Sequence, residues 1–455
     1  MPAIASLIER GTLQAPCASS FPSLTPVCLS AIATGRHPDG SFIPGLTWYR
    51  RGEGRFVEYG SSFTATLVEG AHLAINDAIL NLNHLHLSQT ERTLFELVED
   101  AGLVAGSINF YVFRGRVRHP LKHRAVSALA RRIGVFDAAY GPTRFFFGEL
   151  FASDRTGAPT NLGVKTSHDA HAAAIGRWLV ARDGFDFLLY YLPDVDMAQH
   201  RSGPDGVNAT VEAADTSIGS LFDAAGGVDA FLRQHAVILL ADHGQTAVSS
   251  TCDLRPALAD LTLFAGSLRS DPADCAVALA ASNRVAMVYR LGQAPSTRAI
   301  AARIEPVPGV DLVAFREDDG YVVRRAGGEL AFAHGGDLRD RRGNAWAVTG
   351  DDAVLAIERD GALIASAAYP NALERLAGLL DCVNAGEIVC SAAPGVEFVD
   401  AGGSHHLGGG SHGSLSADDS VVPLITAGFP SAVVLAAEPS ITDVYGLVRD
   451  HFGLA

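Results

Sequence analysis

Short apolar runs alternate, over the first half of the chain, with segments whose apolar residues recur at helical spacing. FDFLLYYL (185–192) and AVILLA (236–241) are near-continuously apolar, the pattern of strands covered on both faces of a parallel sheet. Between them Val211, Ala214, Ile218 and Leu221 share one helical face, and 169–182 reads as a second helix. Strand–helix–strand order predicts an α/β fold built on a doubly wound, mostly parallel sheet. In such sheets ligands bind beyond the carboxyl ends of the strands, so the residues that follow each apolar run are the place to look for chemistry. At the amino end, PAIASLIERG predicts a helix with Pro2 in its first turn and Gly11 as its stop. Between Cys252 and Val399 the texture changes to short strands such as RVAMVYRL, VDLVAF and AWAVTG, joined by Gly- and Asp-rich turns. That predicts a smaller α+β insertion over 252–399, leaving 1–251 and 400–455 as a discontinuous core. VVPLITAGF (421–429) reads as a strand that returns to the main sheet.

Composition sharpens this picture in three places. With 48% hydrophobic and 19% charged residues the chain is expected to bury a large core. Acidic residues outnumber basic ones by 50 to 35, for a formal charge of −15, and only Lys122 and Lys165 are lysines. A surface of that sign repels a phosphate backbone, which argues against a nucleic-acid scaffold. Six cysteines in 455 residues do not make a disulfide framework; Cys382 and Cys390 can pair only if the fold brings them together. The most apolar stretch, 421–437, is broken by Pro423, Gly428 and Pro430, so no membrane span is expected. The first residues lack a basic segment followed by an apolar one, and the expected location is the cytoplasm.

Four segments carry candidate chemistry. In FPSLTPVCLSAIATG (21–35), Thr25 can cap a helix with Pro26 at its first position and Gly35 at its end. A hydroxyl there faces free N–H groups suited to a phosphoryl anion, although plain caps of this kind are common. In YYLPDVDMAQHRSGP, Asp196 and His200 are one helical turn apart and can grip one metal; Asp194 competes for the same role. In AVILLADHG, Asp242 and His243 close a buried strand, with Gly244 permitting a sharp turn. In GGSHHLGGGSHGS, His412 lies among glycines, with His405 and His406 as alternatives. GGSHG fits a nucleophile elbow by spelling, but no apolar strand precedes it. His168 and His171 stand at a helix start with no third ligand in view. Carboxylates and imidazoles in two clusters suit Zn²⁺ or Mn²⁺, and a pair of such ions suits in-line displacement at phosphorus.

The order of these segments resembles the alkaline phosphatase superfamily, and within it the type I phosphodiesterase/nucleotide pyrophosphatase family. FPSLTP…ATG resembles the family's nucleophile segment, DMAQHRSGP its D-x-x-G-H-x-x-G-P, ADHG its S-D-H-G, and SHGS its late H-G. The resemblance implies an alkaline phosphatase-like core. It implies one metal held by Asp196, His200 and His412, and a second by Asp242, His243 and the Thr25 oxygen. It implies Thr25 as nucleophile through a phospho-threonine intermediate, two divalent ions (Zn²⁺, or Mn²⁺), and a small phosphodiester or nucleotide as substrate. Related phosphomonoesterases, phosphonate hydrolases and metal-dependent mutases share this outline, and a metal-binding protein without turnover is the non-enzyme alternative. The family's first strand, an apolar run ending in Asp-Gly that supplies a further ligand, has no counterpart here. The chain is therefore expected to start one strand late, complete at its carboxyl end, with an unfilled position in its sheet. Cys28 stands where the family often has an asparagine, and Ser41-Phe42 where it has His-Gly. Cys28, Phe42 and Trp48, with Tyr49 beside it, are the candidate substrate contacts; ordinary packing is the competing explanation for the aromatics.

Overall fold

The computed structural model describes residues 1–60, 68–122, 134–158, 167–402, 406–431 and 433–455. Helix α1 (Pro2–Arg10) ends at Gly11 as predicted. Its first free N–H groups, on Ala3 and Ile4, donate to the buried carboxylate of Asp215 at 3.2 and 2.8 Å, which meets the unsatisfied donors of a helix start. The chain then runs directly into strand β1 (Gly11–Ala18), which no periodicity had indicated. After the loop 19–24 comes α2 (Thr25–Thr34), buried at every position from Pro26 on and closed by Gly35 in the left-handed conformation.

Two sheets follow from the apolar runs. In the first, β2 (Ala105–Ile108) lies parallel to β3 (Arg144–Phe147) on one side. After helix α3 (His168–Val180), β4 (Phe187–Tyr190) pairs parallel with β2 on the other side. Helices α4 (Asp194–Ser202) and α5 (Asn208–Ala224) lead to β5 (Val237–Leu240). In the second sheet the returning strand β9 (Val421–Ala427) stands between β1 and β5 and is antiparallel to both. Phe187 and Leu189 of β4 pack into the same cluster as Ile238 and Leu240 of β5. Tyr190 joins Val237 and Leu239 on the opposite face, under Ala3, Leu7, Val180, Leu221 and Phe222. The two strands therefore lie in one layer with helices on both faces. Full cover was expected for both runs, yet every position of β4 and β5 is only half-buried. Among the described residues each has a hydrogen-bonded neighbour on one side only.

Residues 263–392 form their own ten-stranded sheet, which includes β6 (Val277–Ser282), β7 (Val285–Arg290) and β8 (Ile388–Ala392). It is not an isolated unit, because Met287, Leu312 and Val389 share one buried cluster with Phe21, Leu24 and Val27. All six cysteines are buried free thiols, Cys382 and Cys390 included.

One buried acid carries a stability prediction. Asp169, in the first turn of α3, has one carboxylate oxygen without a partner and the other accepting from Asp194 N at 3.1 Å. Burial and the nearby Asp194 carboxylate raise its pKa from 3.8 to about 7. The folded state thus binds this proton more tightly than the unfolded chain does, and stability contributed by the protonated form is lost as pH rises from about 4 through about 7. Asp169→Asn is expected to raise the melting temperature at pH 8, by roughly 2 kcal/mol of stability. At pH 4 it should leave it nearly unchanged. Thermal melts of both proteins across that range check it.

Candidate active site

Thr25 opens α2, with Leu24 rather than Thr25 in the capping position and no side chain closing the helix start. The hydroxyl is free of the capping role because it turns to His243 instead: Thr25 Oγ1 lies 3.0 Å from His243 Nε2. The uncapped N–H groups at this end favour an anion.

The carboxyl ends of β4 and β5 deliver the acids. Beyond β4 the chain turns at once into α4, so Asp196 and His200 share a face, Oδ1 to Nε2 at 3.5 Å. Asp194 is excluded from the cluster. Its carboxylate accepts from Ser167 Oγ at 2.5 Å and from the N–H groups of His168 and Asp169 at the head of α3. Beyond β5, Asp242 and His243 sit side by side, Oδ2 to Nε2 at 3.5 Å. His412 reaches the same place from the late Gly-rich loop, 3.2 Å from His200 Nε2 and 3.7 Å from Asp196 Oδ1. Of its alternatives, His406 stacks on the His200 ring with centroids 4.2 Å apart while its Nδ1 bonds the Glu397 carboxylate. His405 lies outside the described residues. His171 is buried in the first turns of α3.

The hydrogen bonds fix which ring nitrogens face inward. Nδ1 of His200 faces the Gly410 carbonyl at 2.9 Å, Nδ1 of His243 faces that of Gly244 at 3.0 Å, and Nδ1 of His412 faces that of Ser23 at 2.8 Å. A carbonyl accepts, so each Nδ1 carries the hydrogen and each Nε2 presents a lone pair to the centre. Lone pairs of His200 and His412 at 3.2 Å, an Asp242 Oδ2 buried without a hydrogen bond, and the Asp196 carboxylate repel one another unless a cation joins them. Ligand atoms of Asp196, His243 and His412 all lie within 4.8 Å of one another. The residues present therefore fit a divalent metal centre.

Burial favours the neutral form of two of the three imidazoles. Burial, with His243 and His200 close by, holds His412 well below the usual histidine range, and burial likewise lowers His200. A neutral imidazole is the ligating form. Burial also lowers His243, but the Asp242 and Asp196 carboxylates outweigh it and the net shift is upward. Burial raises Asp242.

Buried groups brace the loops behind the cluster. Arg375, wholly buried, donates to the carbonyls of Ser20 and Leu415, tying the Thr25 loop to the His412 loop. Arg284 and Asp419, both fully buried, pair at 2.5 Å. Asp419 also accepts from Ser414 N and Thr246 Oγ1, and its carbonyl accepts from Gly244 N.

Sequence reasoning missed two residues at the centre. Gln245 donates to Asp196 Oδ1 at 2.5 Å, and Asn283 Nδ2 lies 3.3 Å from His412 Nε2. Gln245 stands two residues past His243 and was within reach of a closer reading of ADHGQ. Asn283 sits in a hairpin turn, where asparagine needs no other explanation. The expected substrate contacts fare differently. Cys28 is sealed in the core with Sγ 3.9 Å from the Pro22 carbonyl. Trp48, 1% exposed, packs edge-on against His86, and Tyr49 is buried as well. These rings are packing, with no free face for a base. Phe42 is half-buried at a left-handed turn whose carbonyl accepts from Asn384. Among the described residues no helix is long and apolar enough to cross a membrane.

Residues 1–415 match the type I phosphodiesterase/nucleotide pyrophosphatase family. No curated protein matches the chain. Among solved structures it resembles phosphonoacetate hydrolase from Sinorhizobium meliloti bound to phosphonoformate, at 17% identity and a TM-score of 0.56, covering 99% of this chain and 90% of that one. It also resembles murine ectonucleotide pyrophosphatase/phosphodiesterase 5, at 13% identity and a TM-score of 0.57, covering 100% and 90%. At these identities the likeness is one of fold, alkaline phosphatase-like in both cases.

Proposed function

Because the chain belongs to the type I phosphodiesterase/nucleotide pyrophosphatase family, a family of phosphoester and phosphoanhydride hydrolases, we propose that it is a metal-dependent phosphodiesterase or nucleotide pyrophosphatase with Thr25 as nucleophile. The observation that carries this reading is the Thr25 hydroxyl, 3.0 Å from an inward-facing histidine nitrogen at an uncapped helix start. Asp196, His200 and His412 would hold one divalent ion, and Asp242, His243 and Thr25 a second, with Zn²⁺ or Mn²⁺ suited to the donor set. When bound, such ions supply positive charge that lowers the pKa of the Thr25 hydroxyl and of a water and offsets charge on the phosphoryl oxygens.

The chain's own residues do the rest. The Thr25 hydroxyl loses its proton to solvent, Oγ1 attacks phosphorus, the bond to the leaving alkoxide or phosphate breaks on the opposite side, and a phospho-threonine that still carries the other substituent remains. His243, its Nδ1 fixed by the Gly244 carbonyl, brings Nε2 within 3.0 Å of the Thr25 oxygen, so that one ion would be held by both. The free N–H groups at the start of α2 offer hydrogen bonds to the phosphoryl oxygens. Water then cleaves the phospho-threonine and regenerates the hydroxyl. The substrate would be a small phosphodiester or nucleotide, which an acidic protein can bind through its metal centre.

The test is hydrolysis of bis-p-nitrophenyl phosphate, p-nitrophenyl phosphate and a phosphonate, compared by kcat/KM. EDTA treatment is expected to abolish turnover, and Zn²⁺ or Mn²⁺ to restore it; elemental analysis is expected to find two ions per chain. A preference for the monoester or phosphonate would move the substrate class. One tightly bound ion without turnover would make this a metal-binding protein.

A further inference from the structure

β6 and β7 form a hairpin in which Ser282 pairs with Val285, leaving Asn283 and Arg284 as its two-residue turn. Asn283 adopts φ 55°, a conformation that asparagine tolerates and glycine adopts freely. The turn therefore does not require an amide side chain. Yet this one is almost fully buried and its Nδ2 points at the inward nitrogen of His412, 3.3 Å away.

Its position is fixed from all sides. Phe398 N donates to the Asn283 carbonyl, Arg284 N donates to the His412 carbonyl, and Ala392 N donates to the Arg284 carbonyl. The Arg284 side chain donates to Val396 O, Ala393 O and Asp419. An N–H group cannot ligate a cation. With the His412 lone pair taken by an ion, the Asn283 amide would face that ion's surroundings with a donor and no acceptor of its own.

We infer that Asn283 is a substrate-binding residue whose side-chain N–H donates to a non-bridging oxygen of the phosphoryl group. The inference rests on the phosphoester reading of this site. It makes the inserted sheet a contributor to the reaction centre, with Arg284 as the positioning residue for Asn283.

The test uses the full-length Thr25→Ala protein loaded with Zn²⁺ and titrated with inorganic phosphate by calorimetry. Asn283→Gly suits the turn, so the melting temperature is expected to hold. Phosphate affinity is expected to fall about 10- to 100-fold, the value of one hydrogen bond to a charged oxygen, while Zn²⁺ affinity from equilibrium dialysis stays within about threefold. Asn283→Asp is expected to abolish phosphate binding and to keep or tighten Zn²⁺. Unchanged phosphate affinity in Asn283→Gly overturns the assignment. So does a tenfold loss of Zn²⁺, which would make the side chain a metal ligand, and so does a Thr25→Ala parent that binds no phosphate. Loss of phosphate affinity, together with an unsubstituted protein that hydrolyses no phosphoester, would refute the hydrolase reading and keep Asn283 as an anion donor.

Discussion

Thr25→Ala is expected to lower kcat for a phosphodiester by about 10³-fold or more, with the ion held by Asp196, His200 and His412 retained. A loss of this size follows from the proposed route, in which the hydroxyl is the attacking atom rather than a contact. Nothing else in the cluster offers an equivalent: the five other candidate residues are three imidazoles with lone pairs facing inward and two carboxylates. Thr25→Ser keeps the oxygen at the head of α2 and is expected to retain activity within about tenfold. Single-turnover measurements with unsubstituted protein should trap the phosphoryl group, with its remaining ester, on Thr25 when the second step is slowed at low pH. Turnover by Thr25→Ala within tenfold of the parent would show that water attacks directly, and would sink the covalent route.

The second large effect concerns stability. Asp419→Ala leaves the Arg284 guanidinium fully buried without its counter-ion. Breaking such a pair costs about 3–5 kcal/mol. The Ser414 N–H and the Thr246 hydroxyl lose their acceptor as well. Replacing both partners, Arg284→Met with Asp419→Leu, removes the uncompensated charge and is expected to recover part of the stability, since Ser414 N, Thr246 Oγ1 and the carbonyls of Ala393 and Val396 stay without the partners they had. It should not recover turnover, because the loops after His243 and His412 lose the group that joins them. Denaturant melts beside kcat separate the two effects. If the double variant regained full activity, the pair would be only a structural device.

Much of the site could be read from residue order because its parts are local. Asp196 and His200 need only one turn of helix, and Asp242 with His243 only a strand end. Each then falls where the sheet sends ligands; the glycines around His412 left His405 and His406 open, and only the resemblance of SHGS to the family's late H-G singled it out. What escaped was non-local. GTLQAPCA has no apolar period of its own and becomes β1 only by pairing with residues 421–427. Asn283 matters because a turn in the inserted sheet meets a ring 129 residues later. Trp48 and Cys28 failed as substrate contacts because nearness along the chain says nothing of which way a buried side chain points. The half-buried state of β4 and β5 was hidden for a similar reason: an apolar run reports what could be covered, and the hydrogen-bonded neighbours decide what is.

The place of β9 has a kinetic consequence. It stands between β1 and β5 and joins strands that precede it by roughly four hundred and two hundred residues. During synthesis neither strand has a partner in this sheet until residue 427 is made, and His412 arrives only shortly before. Closing loops of that length is slow, and the open edges of β1 and β5 are exposed to foreign strands in the meantime. The sheet and the cluster of aspartates and histidines are thus late products of one closing event, and a ribosome-bound chain halted before β9 is a candidate client for a chaperone rather than an early enzyme.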